Sequence, residues 1–256
     1  MTNPIFFTEP GALAAVASGE EFVLTGAEAR HAVTVKRLSA GENVDVVDGR
    51  GMRLSGRIVS TSTESLTVSV ETVVQEPPVP FRLTLVQALA KGDRDELAIE
   101  AATELGVDEV VPWQAERSIV RWRDAKAAKG MAKWVSTVRS AAKQSRRATV
   151  PDVAPLVDLK SLCGRIGESR LALILHEDAR LSLAEAVRSS GLESEADFDQ
   201  SILMIVGPEG GMSPREVEQM REAGAVPVIL APHVLRSSTA GPAAVALLSE
   251  RLGRWN

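Results

Sequence analysis

The chain is poor in the residues that staple or metallate a fold. It holds one cysteine, Cys163, which excludes an intramolecular disulfide and any thiolate cluster for zinc. Its three histidines, His31, His176 and His233, stand far apart with no metal-ligand spacing between them. No run of 18 uninterrupted apolar residues occurs, so a membrane span is not expected. The first residues, Met1 through Phe7, lack a basic region followed by an apolar stretch and a small-residue cleavage site, and do not read as a signal peptide. Together these absences read as a cytoplasmic protein with no metal. Net positive charge is also missing. The chain carries −5, which globally disfavours a polyanionic partner.

What is present is 256 residues at 45% hydrophobic composition, enough for one large or two modest cores. The charge is distributed unevenly. Between residues 117 and 147 lie Arg117, Arg121, Arg123, Lys126, Lys129, Lys133, Arg139, Lys143, Arg146 and Arg147, against one acid, Asp124. Glu193, Glu195, Asp197 and Asp199 compensate in a polar stretch, 189–200, that reads as a loop. Such asymmetry points to a basic face for an anionic partner, and equally describes a solvated helix face.

Two regions separate at Pro77, Pro78 and Pro80, which favour an extended linker and exclude a helix. The expected division is 1–74, a linker at 75–79, and 80–256. Before the linker, Val44–Val47, Arg57–Ser60 and Leu66–Val70 read as strands, with a hairpin turn at Asp48-Gly49-Arg50-Gly51. One helix, near Ala27 to Lys36, interrupts what looks like a small β-barrel. After the linker, strands and helices alternate. Strands are expected at 83–89, 107–112, 171–175, 202–206 and 226–230. Helices are expected after Asp93, with Leu97, Ala98, Ala101, Ala102 and Leu105 on the buried face and Gly106 closing it; across 125–147; after Ser213; and from about 242 to 252. The nearly all-apolar strands imply a mainly parallel sheet with both faces covered, an α/β domain.

Three strand ends carry the candidate chemistry, the first two leading into helices. The first is Gly207-Pro208-Glu209-Gly210-Gly211, followed by Ser213 and Glu216 in capping-box spacing with Pro214 at the first helical position. It lacks the lysine of a P-loop and the spacing of a dinucleotide fingerprint. A phosphate cradle, a structural turn and a neutral cofactor pocket built from backbone groups all remain open here. The second junction runs from Ala231 to Gly241. Here Arg236 is either a surface charge or a group holding an anion or carbonyl oxygen, and Ser237, Ser238 and Thr239 are candidate N-caps. The third is Leu175-His176-Glu177-Asp178, where His176 is a candidate base or simply a polar strand end.

The G-P-E-G-G loop followed by Leu230, Pro232, Leu235-Arg236 and Thr239-Ala240 resembles the RsmE family, which methylates N3 of a uridine in 16S ribosomal RNA and belongs to the SPOUT superfamily. Ala90-Lys91-Gly92-Asp93-Arg94, Glu104 to Val107, Glu116-Arg117-Ser118 and Ala141 to Arg147 fit the same resemblance. It implies an N-terminal PUA-like barrel, a C-terminal SPOUT domain with a trefoil knot, and a homodimer using S-adenosyl-L-methionine. The implied cofactor pocket comprises Leu175 and His176; Gly207, Pro208, Glu209, Gly210 and Gly211; and Leu230, Leu235, Arg236, Ser237, Thr239 and Ala240. Arg236 is the candidate catalytic residue. Arg30, Lys36, Arg37, Arg117, Arg121, Lys143, Arg146 and Arg147 are the candidate RNA contacts. The chain departs from the family pattern at Ala231 (for Gly), His233 (for Arg) and Ser237-Ser238 (for Thr-Glu). Ser238 removes a carboxylate and leaves Glu209 as the nearest one in the motif. Alternatives are a SPOUT 2′-O-ribose methyltransferase, a non-catalytic RNA-binding or ribosome-assembly protein, and, disfavoured by the missing lysine, a nucleotide-phosphate binder.

Overall fold

A computed structural model describes residues 3–192 and 200–255. The acidic positions Glu193, Glu195, Asp197 and Asp199 lie outside the described residues. The chain forms two compact units, Met1–Pro77 with Ala142–Val150, and Pro78–Ala141 with Pro151–Asn256.

The first unit is a five-stranded half-barrel. Its elements are β1 (Ile5–Phe7), β2 (Glu21–Thr25), α1 (Gly26–Arg30), β3 (Asn43–Val47), β4 (Met52–Thr61) and β5 (Ser65–Gln75), in sheet order β1-β3-β4-β5-β2. Alternating side chains such as Val44, Val46, Leu66 and Val68 fill its core with Phe6 and Leu54. The hairpin forms at residues 48–51 as expected. The Asp48 carboxylate accepts the N–H groups of Arg50 (2.8 Å) and Met52 (3.0 Å), while Gly49 and Gly51 take φ of +78° and +101°. The helix expected from Ala27 to Lys36 is split, α1 giving way at His31–Val35 to a π-helical turn. Strands β1 and β2 escape a periodicity reading, since β1 is three residues long and buried throughout. Residues 142–150 belong to this unit because Ala142 and Ala148 pack on Ile5, Phe7 and Val47.

The second unit contains β6 (Arg82–Ala88), α2 (Arg94–Glu104), β7 (Glu109–Trp113), α3 (Ala125–Gln144), β8 (Asp152–Val153), α4 (Leu159–Glu168), β9 (Leu171–Leu175), α5 (Leu183–Ser189), β10 (Ser201–Val206), α6 (Pro214–Glu222), β11 (Val226–Val228) and α7 (Ser237–Arg251). The last turn of α3 is counted with the first unit. The sheet order is β11-β9-β10-β6-β7-β8, and every pairing is parallel. Val86, Ala172 and Leu203 face a core shared with Leu162 and Met220 of α4 and α6. On the other face α7 approaches β6 so closely that a Cβ on Gly241 would lie 2.8 Å from Leu85 Cδ1. A parallel sheet delivers the carboxyl ends of all its strands to one edge, and the loops that matter emerge there. Near the opposite ends, Arg254 grips Asp108 with both terminal nitrogens (2.8 and 3.1 Å) and also donates to the carbonyls of Phe81 and Gly106, fastening the C-terminus to the starts of β6 and β7.

Three expectations need correction. Helix α2 buries Asp95, Ala98, Ile99, Ala102 and Thr103, so its core stripe is rotated from the expected one and Leu97 is 54% exposed. Thr103 can sit inside because its hydroxyl donates to the Ile99 carbonyl (2.7 Å). Helix α7 starts at Ser237, not near Pro242, with Arg236 as its N-cap and Ser237 to Thr239 in the first turn rather than capping it. The Arg236 carbonyl already accepts the N–H groups of Thr239 (2.8 Å) and Ala240 (3.0 Å). Helix α3 stops at Gln144, three residues short of Arg147. Strand β8 and helices α4 and α5 lie outside the expected elements, although Ser182 and Glu185 form a capping box at the start of α5 and Asp158 caps α4.

Burial pushes the Asp95 carboxyl up to about 6, although the Glu96 N–H bonds to it. A carboxyl raised in the fold stabilises it only while protonated, so its contribution is present in acid and is lost as pH rises through about 6. Asp95→Asn is therefore expected to stabilise the protein at pH 7.5 by up to roughly 3 kcal/mol, with the gain vanishing near pH 4. Thermal unfolding across that pH range measures it; a gain that persists in acid contradicts this account.

Candidate active site

The loops after β9, β10 and β11 line one cavity of about 1050 Å³ in the second unit. From the first loop come Leu175 and His176, with Glu177 and Asp178 exposed beside them. The His176 N–H donates to the Val228 carbonyl (3.0 Å), and its Nδ1 accepts the Asp178 N–H (3.2 Å), so the ring is held as a turn element. From the second come Gly207, Pro208, Glu209, Gly210 and Gly211. Here glycine is required: a Cβ on Gly207 would stand 2.9 Å from Met212 Cγ, and Gly211 has φ +70°. From the third come Leu230, Leu235, Arg236, Ser237 and Ala240. Thr239 stands exposed on the first turn of α7 and is not part of the wall.

The β10–α6 loop is fixed from below by a buried carboxylate. Ser213 and Glu216 form the expected capping box, the Glu216 N–H donating to Ser213 Oγ (3.1 Å) and the Ser213 N–H to Glu216 Oε2 (2.8 Å). The other oxygen, Oε1, accepts the N–H of Glu116 at 2.7 Å, across 100 residues of sequence. That bond brings the loop after β7 alongside, and Arg117 Nη1 then donates to the Gly210 carbonyl (3.2 Å). On the other flank Glu209 Oε1 accepts the Lys91 N–H (3.0 Å) and Arg94 Nη1 (3.1 Å). Arg94 and Arg117 therefore both line the cavity. Sequence reasoning had placed neither there, and the spacing of the two motifs carried no sign of it.

The wall is mostly apolar, with Val206, Met212, Val217, Val228 and Ile229 behind the named residues. Its hydrogen-bonding capacity is open where a ligand would reach. Ser237 Oγ is buried without a partner, and among the described residues nothing accepts the backbone N–H of Leu230 or Leu235. Arg236 is exposed at the rim. An apolar slot edged by unpaired backbone donors, one orphan hydroxyl and the free carboxylates Glu177 and Asp178 suits a neutral heterocycle with hydroxyls and a cationic group. It lacks the clustered donors that a polyphosphate needs.

The other candidate basic residues divide between the units. In the first, Arg30, Lys36 and Arg37 are exposed on and after α1, and Arg146 is exposed with φ +61°. Lys143 is largely occupied, pairing with Glu28 at 2.7 Å and lying 4.9 Å from the Phe6 ring centroid. Arg147 donates to Thr149 Oγ1 (3.3 Å). In the second unit, Arg121 donates to the Glu116 carbonyl (2.5 Å), and α3 buries Trp134 and Val138 while exposing Lys126, Lys129 and Lys133.

Comparison with known proteins identifies the family. Residues 77–249 match the model of an RNA methyltransferase domain, and residues 24–71 that of an RNA methyltransferase PUA domain. The ribosomal RNA small subunit methyltransferase E of Mycobacterium bovis is 38% identical over 244 residues, 93% of this chain and 90% of its own length. The chain belongs to the RsmE family. The Bacillus subtilis member is 30% identical over 89% of each chain. The crystal structure of the Neisseria gonorrhoeae member, bound to S-adenosyl methionine, superposes with a TM-score of 0.81 at 27% identity, covering 97% of this chain and 98% of that one.

Glu216→Ala would strand the N–H groups of Ser213 and Glu116 in a buried site. Each unsatisfied donor costs about 1–3 kcal/mol, so a loss of roughly 3 kcal/mol and a Tm fall on the order of 10 °C are expected. Glu216→Gln, which keeps one acceptor, should recover part of it. A Tm within 2 °C of the parent for the alanine variant, by calorimetry, counts against this role.

Proposed function

We propose that the chain transfers a methyl group from S-adenosyl-L-methionine to N3 of a uridine in 16S ribosomal RNA. The observation that carries this reading is the single cavity beyond the carboxyl ends of β9, β10 and β11, with Ser237 Oγ and the Leu230 and Leu235 N–H groups unpaired on its wall. The relatives named as small-subunit ribosomal RNA methyltransferases and the cofactor-bound gonococcal neighbour support it.

The residues present fit the cofactor. Leu175, Leu230 and Leu235 offer apolar surface and backbone groups for the adenine, and Glu177 and Asp178 offer carboxylates for hydroxyl or ammonium groups. When bound, the cofactor supplies a methyl group on a sulfonium, an electrophile that needs no metal. The chain's task is to align the uracil and hold the charge that appears when N3 loses its proton. To Arg236, the exposed N-cap residue of α7 at the rim, we assign the stabilisation of negative charge on a uracil carbonyl oxygen.

The reading extends to a homodimer and a knot. Leu97 on α2 and Leu247 on α7 are 54% and 42% exposed on two helices that pack together, an apolar surface suited to a second copy. From β11, beyond β9, the chain returns across the sheet for α7 to pack on β6, β10 and α2, a path compatible with a trefoil. Among the described residues no helix is long and apolar enough to cross a membrane, in keeping with action on ribosomal RNA in the cytoplasm.

Labelled cofactor and small subunits from a strain lacking the gene test the activity, with nucleosides resolved by mass spectrometry. N3-methyluridine is expected; a 2′-O-methylated nucleoside would instead favour the ribose-methylating alternative, and no cofactor uptake in calorimetry the non-catalytic one. In the same assay Arg236→Ala should lower kcat by about 10²- to 10³-fold with cofactor affinity little changed; full turnover would remove Arg236 from the mechanism. For RNA, Arg30→Glu combined with Arg146→Glu should weaken binding and reduce the slope of log K against log salt by roughly two, with cofactor affinity unaltered. A salt titration with an unchanged slope rejects those two contacts.

A further inference from the structure

Glu209 is the one carboxylate inside the G-P-E-G-G turn, and with Ser at position 238 it is the nearest carboxylate in the motif, where either chemistry or structure could use it. Its surroundings assign it other work. Oε1 receives two donors, the Lys91 N–H at 3.0 Å and Arg94 Nη1 at 3.1 Å, across more than a hundred residues of sequence. The carboxylate is 21% exposed, and Arg94 is 41% exposed. With Oε1 engaged by a guanidinium and an amide N–H from another loop, the carboxylate is fixed in place by the protein rather than left free to turn toward a substrate.

The segment it holds needs holding. Gly92 and Asp93 are consecutive left-handed residues, with φ of +68° and +58°, and Asp93 has a side chain that disfavours this conformation. The turn leads directly into α2, whose first residue is Arg94. Lys133 of α3 braces it from the other side, bonding Asp93 (3.3 Å) and Glu96 (2.6 Å). Glu209 thus ties a strained turn after β6 to the glycine turn after the neighbouring strand β10. The Gly210 carbonyl is held in turn by Arg117 (3.2 Å).

We propose that Glu209 is a positioning residue: its carboxylate latches the 207–211 turn to the 90–94 turn, and this latch sets the shape in which the cavity takes its cofactor. The proposal rests on the cavity being the S-adenosylmethionine site. It separates two roles one motif carboxylate could play. A base acts on the reacting proton and governs kcat and its pH dependence; a latch governs the cofactor affinity of the resting protein.

The test combines two measurements on the full-length protein. Hydrogen exchange without cofactor reads the latch, and calorimetry with S-adenosylmethionine reads its consequence. In Glu209→Ala the Lys91 amide should exchange at least about tenfold faster and the cofactor Kd should rise about tenfold. Glu209→Gln, which keeps an oxygen acceptor but no charge, should lie between, as should Arg94→Ala. Adding Arg94→Ala to Glu209→Ala should change the Kd no further, because the partner is already gone. At saturating cofactor and RNA the pH profile of kcat should keep both limbs it has in the parent, because a positioning residue accepts no proton in the reaction. A collapsed kcat with a lost limb of the pH profile would make Glu209 the base and overturn the proposal. So would an unchanged Kd despite a deprotected Lys91 amide, or additive losses in the double variant. Failure of the unaltered protein to bind S-adenosylmethionine would take down the cofactor reading and the latch's role with it, a result visible without any variant.

Discussion

The site depends on one buried carboxylate. Glu216 has no exposed surface, and its two oxygens accept backbone N–H groups from Ser213 and from Glu116. Burial of this polar side chain is offset by hydrogen bonds on both oxygens, and its place in the first turn of α6 is one that favours an acidic residue. Through Ser213 it fixes where the glycine turn ends and α6 begins. Through Glu116 it fixes the loop after β7, and so the position from which Arg117 reaches Gly210. The flexible part of the wall, five residues with three glycines, is thereby bounded by a rigid cap on one side and by Glu209 on the other.

What could be read from the chain and what could not follows the range of the interactions. The hairpin at 48–51, the capping box at 213–216 and the apolar strands 171–175 and 202–206 are local, and each appears where its residues indicate. The orientation of α2 was misjudged because Leu97 looks like a core residue in isolation; the face is set by packing on α7, far along the chain, which buries Asp95 and Thr103 instead. Residues 142–150 continue a helix from the second unit yet pack in the first, a choice made by β1, whose three residues gave no periodic signal. The three loops of the cavity were legible as strand ends, two of them followed by helix starts. That they share one cavity was not, since it depends on the order β11-β9-β10-β6, and strand order leaves no trace in periodicity. Arg94 and Arg117 entered the wall for the same reason: each is bound to a partner about a hundred residues away.

The charges of the site fall into two groups, and the difference bears on chemistry. Glu209, Glu216, Arg94 and Arg117 are bonded to other parts of the second unit and shape the cavity. Arg236 is exposed at the rim, and Glu177 and Asp178 are exposed on the turn after β9. His176 is drawn toward the first group by its bonds to Val228 and Asp178. On the proposed reading, an imide proton must leave uracil before N3 can attack, and residue 238, two along from Arg236 in the first turn of α7, is a serine with no carboxylate to take it. The side chain at that step then has to work by stabilising the anion rather than by binding the proton strongly. A guanidinium is suited to this, since it stays charged at any working pH and meets a carbonyl oxygen with several fixed donors. With the negative charge held there, acceptance of the proton can fall to a weak base such as an exposed carboxylate or water. A site built from backbone groups, one exposed arginine and the exposed carboxylates Glu177 and Asp178, with Glu209, Glu216, Arg94 and Arg117 holding its loops in place, then supplies what the proposed reaction needs.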